Sequence, residues 1–78
     1  MDLQTFIGSF EEAVEDLEPG TVAGETRFRE LEQWDSLAVL TVTAMIDSEY
    51  GARVRGDDLK GCETVNDLFE LVKGRSGG

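Results

Sequence analysis

Leu3, Phe6, Ile7, Phe10, Ala13, Val14 and Leu17 recur at intervals of three and four, the spacing that puts apolar side chains on one face of an α-helix. Two further series, Val39, Val42, Ile46, Tyr50 and Val65, Leu68, Phe69, Val72, repeat it. No segment sustains the period-two alternation of a half-buried strand, although Ala52 to Arg55 is open to a brief extended stretch. The spacing predicts an all-α fold: a small four-helix bundle with a long loop between helices 1 and 2 and a short third helix.

The punctuation agrees. Asp2 is a suitable N-cap for the first helix and Pro19-Gly20 a stop. Ser36 to Tyr50 forms the second, ended by Gly51 in the position that favours a left-handed cap. Gly56 to Lys60 reads as the short third helix. Thr64 and Asp67 resemble the capping pair of a fourth. Gly20 to Trp34 is longer than most connections, but Phe28, Leu31 and Trp34 are spaced to pin it to a core. "GRSGG", residues 74–78, reads as a flexible tail, leaving 1–73 as one domain.

Seventy-eight residues suffice for one domain. A chain this short buries only about 60% of its unfolded surface, which leaves little room for a thick core and an internal cleft together. The single cysteine, Cys62, excludes an internal disulfide, fits a reducing compartment and reads as a small buried apolar residue. "MDLQTF" lacks the basic and apolar segments of a secretory signal. Ser36 to Ile46 is too short to span a membrane. A cytoplasmic, monomeric protein is expected.

Seventeen acids against seven bases give a net charge of −10. Residues 1–32 hold nine of the acids against Arg27 and Arg29 alone. That field repels phosphate backbones and disfavours nucleic acid. It steers the chain towards proteins with basic patches, or serves solubility alone. The chain has no histidine. Ser-His and Cys-His nucleophiles are therefore excluded, along with the commonest metal ligand. An enzyme is not expected, and no metal site in the isolated chain.

"QWDSLAVL", Gln33 to Leu40, carries the most specific signal. Asp35 or Ser36 is placed to cap the second helix, where the first N–H groups lack partners and the dipole is positive. A phosphate ester on Ser36 would be electrostatically stabilised there; alone, the tripeptide reads equally as a plain cap. On the helical wheel Leu37, Leu40 and Ala44, with Thr41 and Ser48, fall away from the Val42 face. They form either a second buried side or an outward docking strip.

Together, "WDSL" at 34–37, the long loop before it, "DSEYGARV" after the second helix and "CETVNDLFELV" at the end resemble an acyl carrier protein over residues 3–73. The resemblance implies that Ser36 receives a 4′-phosphopantetheine arm from coenzyme A, installed by a phosphopantetheinyl transferase. It implies that Asp35 helps hold Mg²⁺ in the complex with that transferase. It also implies that Leu37, Leu40, Thr41 and Ala44 meet acyl-loading and acyl-processing enzymes. Asp47, Glu49, Asp57 and Asp58 remain available to basic patches on those partners. A carrier needs no base of its own, which accounts for the missing histidine.

Two departures stand out. Many members have Leu-Gly just ahead of Asp-Ser, where this chain has Glu32 and Gln33, and Thr41 occupies a place often held by glutamate. This resembles specialised carriers, in fatty-acid or polyketide-type synthesis, more than the central fatty-acid one. An aminoacyl or peptidyl carrier shares the fold and the serine and stands as the alternative. Three other readings are weaker. A calcium loop through Asp47, Glu49 and Asp58 has Ala52 where glycine belongs and Arg53 and Arg55 among its ligands. A modifier ending in Gly77-Gly78 would need a sheet. An unmodified scaffold is the third. Val14, Val39, Ile46, Leu68 and Val72 either line a cargo cavity or fill a core.

Overall fold

The computed structural model describes residues 2–76. Four α-helices appear in chain order: α1, Leu3–Ala13; α2, Ser36–Tyr50; α3, Gly56–Lys60; and α4, Val65–Arg75. A single 3₁₀ turn, Phe28–Glu30, interrupts the long connection. No strand occurs among the described residues. The all-α bundle with its long first loop and short third helix is the architecture expected.

Each helix starts for a local reason. Asp2 caps α1, its carboxylate accepting from the Thr5 N–H at 2.8 Å. Asp35 caps α2 and Thr64 caps α4. At α4 the capping is reciprocal: the Asp67 carboxylate accepts from the Thr64 N–H at 3.1 Å, and Thr64 Oγ1 accepts from the Asp67 N–H at 3.2 Å. Gly51 closes α2 at φ 65°, a left-handed conformation a β-carbon would strain.

α1 stops earlier than Pro19-Gly20. Val14 is extended and Asp16 stands at φ 66°, so the chain turns directly after Ala13. Val14 and Leu17 are nonetheless buried, which is why they continue the helical spacing. Glu11 holds the turn: its buried carboxylate accepts from the Gly20 N–H at 2.9 Å and the Val22 N–H at 3.0 Å. Two amides that a loop would otherwise leave unpaired are thereby satisfied.

Aromatic side chains fasten the rest of the loop. Trp34 stacks on Phe10 with ring centres 6.0 Å apart, and Phe28 meets Trp34 edge-on at 5.0 Å. Phe28 is completely buried, a burial of about 1.5–3 kcal/mol; Leu31 and Trp34 pack against the core in part. The loop also meets the start of α4. Thr26 C=O accepts from the Val65 N–H at 3.1 Å and Gly24 C=O from the Asn66 N–H at 2.8 Å. At Gly24 a β-carbon would fall 2.6 Å from the Asn66 amide oxygen.

Val14, Ile46, Leu68 and Val72 belong to one continuous core with Phe6, Phe10 and Phe28. Val39 packs against it from the side. α4 runs through Gly74 and Arg75, two residues into the stretch read as a tail. Gly77-Gly78 lies outside the described residues.

Candidate functional site

The start of α2 answers whether Ser36 is a cap. Asp35 is the cap: its carboxylate accepts from the Ala38 N–H at 2.9 Å, and its carbonyl accepts the first helical bond, from Val39, at 3.0 Å. Ser36, the first helical residue, is exposed, and its hydroxyl takes part in no hydrogen bond among the described residues. The hydroxyl is idle and turned to solvent at the positive end of a fifteen-residue helix.

The outward strip begins at the next residue. Leu37 and Leu40 are 50% and 66% exposed, the two large apolar side chains most open to solvent. Ala44 is exposed two turns along. Thr41 is half-buried, and its hydroxyl donates to the Ala38 carbonyl of its own helix at 3.2 Å. It faces a hollow shared with Ser9, Glu12 and Ala13 of α1. The inward face is Ala38, Val42 and Ile46, with Val39 and Tyr50 half-buried. Ala38 went unnoticed in the sequence because a methyl group contributes little to a periodicity.

The acids do not form one patch. Asp47 and Asp57 are exposed. Asp58 is engaged: Arg75 grips it at 2.8 and 3.0 Å, and its carboxylate also accepts from the Arg55 N–H at 2.9 Å. The Arg75 guanidinium first, and the Arg55 amide second, hold its pKa down to about 2. Arg75 further donates to the Arg53 carbonyl at 2.9 Å, joining the end of α4 to the segment before α3.

A different acidic group lies beside Ser36. Glu15, Asp16, Glu32 and Asp35, with Gln33, Leu37 and Ala38, line an open hollow of about 260 Å³. The early turn after Ala13 brings Glu15 and Asp16 there. The acid excess of residues 1–32 was visible in the sequence; its convergence was not. No cluster of three or more side chains suited to a metal ion occurs among the described residues.

The helix start at Ser36 fits a phosphodiester, against some repulsion from the carboxylates of the neighbouring hollow. The hydroxyl is free, and the Ser36 and Leu37 N–H groups have no partner among the described residues, so the helix start favours an anion. Residues 6–72 match the family model described as the phosphopantetheine attachment site. The chain belongs to this acyl-carrier family. It is similar to a protein of Rhodococcus erythropolis (strain PR4 / NBRC 100887) called acyl carrier protein, 28% identical over 67 residues that cover 86% of this chain and 74% of the relative. No solved structure matches significantly. Members of this carrier family hold substrates for other proteins and are not catalysts. No helix of the described residues is long and apolar enough to cross a membrane.

Proposed function

We propose that Ser36 bears the 4′-phosphopantetheine arm and that the chain, over residues 1–73, carries acyl intermediates as thioesters. The observation that carries this reading is the division of labour at α2: Asp35 caps the helix, which leaves the Ser36 hydroxyl with no structural duty. Loading forms a bond from Ser36 Oγ to the pantetheine-side phosphorus of coenzyme A as the pyrophosphate linkage breaks and adenosine 3′,5′-bisphosphate leaves. The hydroxyl proton leaves to a base of the transferase, since this chain has no histidine to take it. The arm supplies a terminal thiol on which acyl groups are held.

The remaining residues make the address. Asp35 is placed for the Mg²⁺ of the transferase complex while it caps the helix. Leu37, Leu40 and Ala44 form the apolar strip, with Thr41 at its edge, that acyl-loading and acyl-processing enzymes grip. Asp47, which shares a hollow with Leu40 and Ala44, and Asp57, exposed on α3, suit basic groups on those partners. Asp58 contributes less, because Arg75 already neutralises it. The uncharged run Ser36 to Ile46 supports a specialised fatty-acid or polyketide-type pathway, with the monomeric carrier working in the cytoplasm. The similarity to a protein called acyl carrier protein favours acyl over aminoacyl or peptidyl cargo.

Incubation with coenzyme A, Mg²⁺ and a broad-specificity phosphopantetheinyl transferase tests the reading. Intact mass should rise by one arm, and Ser36→Ala should stay unchanged. A mass gain that survives Ser36→Ala would overturn it.

A further inference from the structure

Among the described residues Glu11 is the one buried charged side chain, only 8% exposed. Its Oε2 accepts from both Gly20 and Val22, so a single oxygen carries the connection to the turn. The residue before it, Phe10, stacks on Trp34. Two adjacent positions of α1 therefore grip the long connection near its beginning and near its end, the latter two residues short of Ser36. A third tie joins those ends: the Gln33 side-chain amide donates to the Asp16 carbonyl at 3.4 Å.

This frame decides where charge stands around Ser36. α1 and α2 contain no lysine or arginine, and Ser36 to Ile46 of α2 holds no acid either. The carboxylates that share a hollow with the start of α2 are Asp35 itself, Glu32 and, from the turn after α1, Glu15 and Asp16. Glu15 and Asp16 stand there because the chain turns at Ala13, with Asp16 at φ 66°. Had α1 run on to Pro19-Gly20, both would continue along its axis instead. Both are exposed, and neither carboxylate has an ion pair or hydrogen bond among the described residues. A basic partner approaching Ser36 meets them at the edge of its target.

We propose that Glu11 is a positioning residue for the loading of Ser36: by holding the turn, it keeps the Glu15 and Asp16 carboxylates where basic side chains of the phosphopantetheinyl transferase meet them. The proposal deepens the carrier reading and rests on it. Part of the transferase's footprint then lies on the turn after α1, beyond α2. The effect is on encounter and not on the chemical step, so it belongs in KM and in its dependence on salt.

Loading of the full chain is followed by intact mass over a range of carrier concentrations. Glu11→Leu should raise KM about fivefold, the scale of two exposed ion pairs, and leave kcat unchanged. Glu11→Gln should load like the parent, because one amide oxygen can accept both N–H groups. Glu15→Gln/Asp16→Asn removes the charges and keeps the turn, since asparagine tolerates the left-handed conformation at position 16. It should raise KM by the same factor and flatten the rise of KM with salt. Glu11→Leu added to that pair should change KM no further, a non-additivity that lost stability alone would not produce. Additive effects, or a pair variant that loads like the parent, would overturn the proposal. Where Glu11→Leu fails to fold, Glu11→Asp, one methylene shorter, replaces it. Faster hydrogen exchange at Gly20 and Val22 in that variant, with KM unmoved, overturns the proposal equally. A transferase that leaves the parent bare removes the carrier reading and this proposal with it; parent loading that no variant alters removes this proposal only.

Discussion

The starts of α2 and α4 are built from the same parts and finished differently. At α4, Thr64 caps, Asp67 caps back, and the long loop lays the Gly24 and Thr26 carbonyls on the Asn66 and Val65 amides. The leading donors of that helix are consumed. At α2 one side chain, Asp35, satisfies one amide, and the loop carbonyls go elsewhere. What remains is an exposed hydroxyl among unsatisfied N–H groups. A helix start sealed by its neighbours serves the fold. One left open is free to receive an anion, which is the use proposed for Ser36.

The sharpest way to break this contrast is to exchange the two hydroxyls' fates. Ser36→Ala should abolish loading completely and leave thermal stability within about 0.5 kcal/mol, since no bond is lost. A pronounced loss of stability would show that Ser36 has structural work at α2. Next in size is the loop that seals α4. Phe28→Ala should cost about 3–5 kcal/mol in denaturant unfolding and speed hydrogen exchange at Val65 and Asn66. Unchanged protection of those amides would mean that the loop is held by other contacts. Thr64→Ala should cost about 1 kcal/mol without slowing loading; an equal effect on loading would join the two helix starts that the structure keeps apart.

The smallest effect is in acid. Asp58 has its pKa lowered from 3.8 to about 2 by Arg75. A carboxylate depressed on folding adds stability that is fully present above the unfolded value and lost as pH falls through the folded one. The melting temperature of Arg75→Gln should therefore lie below that of the parent at neutral pH. The gap should close between pH 3.8 and about 2. A gap that persists in stronger acid would assign Arg75's contribution to packing or to its bond with the Arg53 carbonyl instead.

Much of this was legible before any coordinates. Gly51, Thr64 with Asp67, and the 36–50 periodicity each name a local event that needs no distant partner, and the helices begin and end where those residues say. The end of α1 was not legible. Val14 and Leu17 keep helical spacing because they are buried, while Glu11 draws the Gly20 and Val22 amides inward and forces the turn at Ala13. A buried acid that bonds backbone N–H groups leaves no pattern in a sequence. The site divides in the same way. "WDSL" marks Ser36, yet only geometry shows that Asp35 alone does the capping. The pairing of Asp58 with Arg75 joins residues seventeen apart and was equally hidden.

Trp34, the chain's one indole, sits two residues before Ser36 with its ring flat against Phe10. The protein therefore carries its own optical gauge. Chemistry at position 36, or any loosening of the loop above α1, alters the surroundings of a single emitter, so both can be followed in unlabelled material by the colour and intensity of its fluorescence.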